Sequence, residues 1–193
     1  YKECLLGMTS DRSILAAVPV NLRPFFNSVT TKNFFAMVSA ELIPDRENLT
    51  YEEVCERVKQ SLREQINKEH LEKLFSYNVS NQQNLFASAV PLVLKNLAIR
   101  LVYTRSALAN TTTITNIGNI KLEPEYEPYV QMFHAFLAMS KGQLLKATIC
   151  SYRDTLAGTF SSVRAQAPVQ RTIFRQLAAD GLEVVIESNG VYE

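Results

Sequence analysis

Groups able to move protons, attack carbonyls or hold metals are few in this sequence. The histidines are His70 and His134, and the cysteines are Cys4, Cys55 and Cys150. None of these five stands in HExxH or CxxC spacing, so the sequence predicts no metal site. His70 falls late in a charged helical pattern, which predicts a surface residue near a helix C-terminus. His134 lies between Phe133 and Phe136 in a period-two stretch, on the face of Phe136 and opposite Phe133. It is therefore a candidate pocket-lining residue, with simple packing as the other reading. Neither histidine has an Asp four residues on. The glycines stand singly at 7, 118, 142, 158, 181 and 190, so no GxGxxG or GxxxxGK[ST] phosphate loop exists. GxSxG is missing as well, and with it the serine elbow of an acyl-enzyme hydrolase. The residues alone make no complete catalytic site.

The elements that would position such groups belong to an ordinary globular chain. Its 193 residues are 47% hydrophobic and 20% charged, enough apolar surface for a sizeable core. A net charge of +1, with Arg23, Arg100 and Arg105 dispersed, gives no basic strip, so no nucleic-acid partner is expected. Apolar runs such as Ile14 to Val20 fall well short of the ~20 residues of a membrane helix, and no membrane association is expected. Widely spaced cysteines, odd in number, suit a reducing compartment, and the expected location is cytoplasmic. The sequons at Asn48, Asn78 and Asn110 are read as chance. Because the chain opens on Tyr1 and soon enters an apolar run, it is expected to be a piece of something longer.

Thr50 followed by Glu53 is a capping box, and Val54, Val58, Leu62 and Ile66 then repeat every fourth residue, predicting an amphipathic helix. A second helix is predicted from about Asn84 to Arg105, more buried than the first, with Pro91 near its start. A third should run from Pro168 to Ala179 and close at Gly181. Residues rich in β-branched and aromatic types predict strands over Ile14–Val20, Phe34–Ile43, Thr111–Ile120, Val130–Met139 and Leu182–Ser188. Leu144–Tyr152 and Thr155–Ser161 should form a hairpin about Arg153-Asp154. Ser76–Gln83 is expected to be a polar loop. The predicted class is α/β or α+β, one domain over residues 1–193, with a mixed sheet and helices mainly on one face.

Several of these segments are familiar in order. Ala17-Val-Pro-Val-Asn-Leu-Arg23-Pro, followed by Asn33-Phe-Phe-Ala-Met-Val38, resembles a segment of the chloramphenicol acetyltransferase-like superfamily, in which a strand ending in Arg leads through a loop to a Gly/Asn-Phe-Phe strand. That superfamily includes the alcohol acetyltransferases and the condensation domains of nonribosomal peptide synthetases. Thr113-Ile-Thr-Asn116-Ile-Gly118-Asn-Ile120 is similar to its Ser-Asn-x-Gly strand. Ile149 to Leu156 resembles its late hairpin, and Phe174 to Ser188 its closing helix and strand. The signature His-His-x-x-x-Asp-Gly does not occur. The resemblance is thus to a C-terminal lobe, with the catalytic histidine expected on a separate N-terminal lobe of the same protein.

What the resemblance implies is acyl transfer from acetyl-CoA or another acyl thioester to a small alcohol or amine acceptor, without a metal. The chain alone would be inactive, and the absent histidine would take the acceptor's proton. Arg23 would pair with the signature Asp and support the catalytic loop, as a planar guanidinium can bind a carboxylate at two points. With the N-terminal lobe missing, Arg23 is expected to lie unpaired or exposed. Asn116, Gly118 and His134 would border the substrate channel, Gly118 by allowing close backbone approach. Asn33 stands where relatives often carry Gly. The rival expectation is a noncatalytic binding or assembly module that keeps this fold and uses the exposed lobe interface for a partner chain or for self-association.

Overall fold

The computed structural model describes residues 13–43, 49–83 and 91–189. Its elements run β1 (Ile14–Asn21), α1 (Arg23–Phe26), β2 (Phe35–Leu42), α2 (Tyr51–Gln65), α3 (Lys68–Gln83), α4 (Leu92–Ala109), β3 (Thr112–Asn119), a single 3-10 turn (Glu127–Tyr129), β4 (Leu145–Tyr152), β5 (Thr155–Ser162) and α5 (Pro168–Ala179). The strands form a five-stranded mixed sheet in the order β2-β1-β3-β4-β5. β1 pairs antiparallel with β2 along its whole length and parallel with β3 at Ala16 and Ala17 only. That parallel pairing stops ahead of Pro19, a residue with no N–H to donate to a ladder. The mixed sheet with helices is the α+β architecture expected.

The chain divides into two compact units, one of residues 13–115 with 140–143 and one of 116–139 with 144–189, among the described residues. In the first, Leu22, Ala36, Val38 and Leu71 are buried and Val18, Val20, Phe25, Phe26, Phe34, Leu62 and Ile66 pack around them. Phe26, Phe34 and Phe75 meet with ring centroids 5.6 to 6.3 Å apart. α2 starts on the predicted capping box: Thr50 Oγ1 accepts from Glu53 N, and Glu53 Oε2 accepts from Thr50 N at 2.8 Å. It is fastened to β2 by Gln65, whose amide accepts from Ser39 N and donates to Ser39 O at 2.7 Å. One side chain thus imitates a strand partner along the outer edge of β2, where an open row of backbone groups would otherwise invite another chain.

Three expectations fail here for physical reasons. Ser76–Gln83 is not a loop but the last part of α3, which begins after Asn67, whose Oδ1 accepts from His70 N at 2.8 Å. His70 accordingly lies in the first turn of α3, not near a helix end rich in free carbonyls. The predicted second helix is present as α4, from Leu92, while the expected start over residues 84–90 lies outside the described residues. It is not more buried than α2: Leu92, Val93, Leu94, Leu97, Ile99, Leu101, Val102 and Tyr103 are all exposed. Its apolar residues surround the axis instead of forming one stripe, so no single neighbouring surface could cover them.

In the second unit, β4 and β5 form the predicted hairpin, Leu145 opposite Ser162 through Tyr152 opposite Thr155, turning at Arg153 with φ of 53°. α5 packs on it through Phe174 against Phe160, centroids 5.7 Å apart. It ends as predicted: Gly181 takes φ of 88°, its N–H reaches Ala178 O, and Leu182 N–H reaches Leu177 O, the paired bonds of a Schellman motif. The segment beyond, Leu182–Ser188, is not a strand of the sheet, and Leu182, Val185 and Ile186 are exposed. Strand propensity needs a free edge to pair with, and sequence cannot supply one.

Val130–Met139 is not a strand either. Residues 132–139 alternate exposed and half-buried, as the pattern predicts, but the carbonyls are held by side chains of the hairpin. Cys150 Sγ donates to Phe133 O at 3.4 Å, Thr159 Oγ1 to Ala135 O, and Lys146 Nζ to Ala138 O at 2.6 Å. The segment therefore lies across the faces of β4 and β5 rather than along an edge.

Candidate functional site

Arg23 opens α1 at the end of β1, with Pro24 following, and is half-buried. Asn21 Oδ1 accepts from Arg23 N at 3.1 Å and from Nη1 at 3.2 Å. Nε donates to Thr30 O at 2.8 Å and Nη2 to Lys32 O at 2.6 Å. The expectation of an unpaired guanidinium is not met. Its planar fork, with donors on three nitrogens, closes the loop between β1 and β2 by taking two carbonyls of that loop. Asn27, left-handed at φ of 49°, lets the chain leave α1 toward those carbonyls.

Asn116 and Gly118 share one local turn inside β3. Asn116 Oδ1 accepts from Gly118 N at 2.8 Å, and Gly118 has φ of 82°. A Cβ on Gly118 would meet no atom within 4 Å. Close backbone approach is therefore not why glycine stands there. The left-handed backbone is, since a side chain strains it. Asn116 itself is exposed.

His134 is exposed and stacks on Phe136, centroids 6.4 Å apart and planes 17° from parallel. The same-face placement read from alternation holds. Phe133, on the other face, meets Tyr152 edge to face at 5.2 Å. Asn116, Gly118 and His134 belong to the second unit, and Arg23 to the first.

Sequence reasoning passed over Lys146, Thr148 and Tyr152 and took Cys150 only as an isolated thiol, yet these four are the alternate residues of β4 that are all buried. A row of buried polar groups along one strand face is legible once the hairpin register is known, because residues two apart share a face. Burial holds the Lys146 ammonium below the ordinary lysine range, as desolvation disfavours the charged form. An apolar groove of about 600 Å³ also runs along α2, lined by Val54, Cys55, Val58, Leu62 and Ile66 among others, and Arg23, Asn116, Gly118 and His134 are not in its lining.

Among the described residues, no three His, Cys, Asp or Glu side chains cluster as a metal would require, and no helix is long and apolar enough to cross a membrane. Cys55 and Cys150 are free thiols. Compared with known proteins, the chain matches no protein-family model and no curated protein.

Proposed function

We propose that this chain is the substrate-channel lobe of a CoA-dependent acyltransferase, working with an N-terminal lobe that carries the catalytic histidine. Acetyl or another acyl group passes from a thioester to an alcohol or amine, and the histidine of that lobe removes the acceptor's proton. The observation that carries the reading is α4, which between Leu92 and Tyr103 exposes large apolar side chains on every face. A soluble chain rarely leaves that much contiguous apolar surface in water, so α4 is the surface a further lobe covers. The order of motifs agrees: an Arg-closed strand-loop-strand at β1 and β2, an Asn-x-Gly turn in β3, and the β4–β5 hairpin followed by α5.

The test is transfer of radiolabelled acetyl groups from acetyl-CoA to a panel of alcohols and amines, by the 193 residues and by the longer polypeptide encoded with its upstream sequence. Activity is expected from the longer protein alone. Equal transfer by the 193 residues would sink the proposal, as would an upstream sequence lacking His-His-x-x-x-Asp-Gly.

The state of Arg23 favours a second reading. Its donors already serve Thr30 O, Lys32 O and Asn21 Oδ1 within this chain, so Arg23 has a structural task without any carboxylate from another lobe, as in a noncatalytic assembly module. In the longer protein, Arg23→Lys should lower kcat if the guanidinium supports a catalytic loop, and should change stability alone if the module reading holds.

A further inference from the structure

The segment 130–139 and the face of β4 beneath it make a device separate from the lobe arrangement proposed above. Phe133 lies at Cys150 and Tyr152, Ala135 at Thr159, which pairs with Thr148, and Ala138 at Lys146. The segment thus runs antiparallel over β4 as a strap. Each of these three attachments is a bond from a side chain of the hairpin to a strap carbonyl. The hairpin below has eight paired positions in continuous register. Under the strap stand an amine, a thiol and two hydroxyls in one row, at Lys146, Cys150, Thr148 and Tyr152. Thr148 is 2% and Tyr152 4% exposed. Their oxygens find no hydrogen-bond partner among the described residues.

Buried hydroxyls without partners are costly, and raising the strap would return both to water. The same movement would release the desolvated Lys146 ammonium. Against this stand, among the described residues, the bonds from Cys150, Thr159 and Lys146, the ring contact of Phe133 with Tyr152 and the half-burial of Phe133, Ala135, Leu137 and Met139. Opening the hairpin would break its whole ladder as well. From this contrast we infer that residues 130–139 form a hinged strap that lifts from β4 and β5 while the hairpin stays folded, baring the row Lys146, Thr148, Cys150 and Tyr152. The outer face of the strap, with Met132, His134 and Phe136, is exposed.

Cys150 reports the motion directly, because its thiol is buried and bound to Phe133 O while the strap is down. In the 193-residue chain carrying Cys4→Ser and Cys55→Ser, labelling by an aromatic disulfide reagent is measured across low urea concentrations, beside hydrogen exchange of the β4 and β5 amides. The expected result is labelling with a urea slope well below that of the sheet amides, since the slope scales with surface exposed on opening. Thr159→Val should raise the labelling rate about fivefold, the effect of one lost hydrogen bond, without steepening the slope. Labelling with the same slope as sheet exchange would show that the strap opens only with the hairpin, and would overturn the inference. That comparison needs no variant, so it decides the matter even if Thr159→Val fails to fold.

Discussion

Gly118 and Gly158 pose the same substitution in two backbone states. A Cβ on either meets nothing within 4 Å, but Gly118 alone of the two stands at positive φ, 82°. Gly118→Ala should cost about 1–2 kcal/mol in urea unfolding, the penalty of a left-handed alanine, and Gly158→Ala should stay near neutral. Equal effects would mean that space, not backbone, governs both sites. Arg23 poses a related question of geometry. Arg23→Lys keeps the charge but loses the fork that reaches Thr30 O and Lys32 O together, so a loss of about 1 kcal/mol is expected. The identity of such residues was legible in the sequence, because Asn-x-Gly and Arg-Pro mark turns by their own chemistry. Their partners were not. Arg23 was read as awaiting a carboxylate, and the carbonyls it holds lie seven and nine residues on, in a loop without a pattern.

Among the helices, α2 was readable to its first residue because its signal is local. Thr50, Glu53 and a four-residue apolar repeat lie within one stretch, and each group finds its partner inside it. Thr50→Ala should destabilise the chain by about 1 kcal/mol. The Glu53 carboxyl is held below the ordinary glutamate range, first by the backbone N–H of Thr50 and then by the Thr50 side chain. A carboxylate with a lowered folded-state pKa contributes fully above its ordinary value and loses that contribution as pH falls through the lowered one. Helicity at α2 should therefore fray in acid, less so in Glu53→Gln, and amide exchange at Glu53 and Val54 would record it. α3 was missed because Asn67 restarts a helix one residue after Ile66, and the charge pattern runs through the break. The strap reads as a strand by period-two alternation, and Leu182–Ser188 by its run of Val184, Val185 and Ile186. Alternation says only that two faces differ, and whether a ladder forms is decided by which edges remain free.

For the molecule as a whole, the order of predicted strands and helices points to a mixed sheet but not to where the apolar surface ends up. α4 carries Leu94, Leu97, Leu101 and Val102 at the spacing of a buried stripe, which is why burial was expected, yet Val93, Ile99 and Tyr103 on the remaining sides are apolar too. A helix apolar all round belongs inside something, and none of the other described elements packs extensively on it. Whether α4 belongs to the core of these 193 residues or to an interface can be decided by making it polar. Leu97→Glu with Leu101→Glu buries no charge if both positions stay exposed, so unfolding free energy should move by less than about 0.5 kcal/mol for each. Over the same substitutions, fluorescence of a hydrophobic dye bound to the chain should fall, and any self-association seen in sedimentation should weaken. If α4 were core, the two glutamates would instead unfold the chain and raise dye binding. The sign of the dye signal thus separates an outward-facing helix, built to be covered by another lobe, from one that these 193 residues already cover.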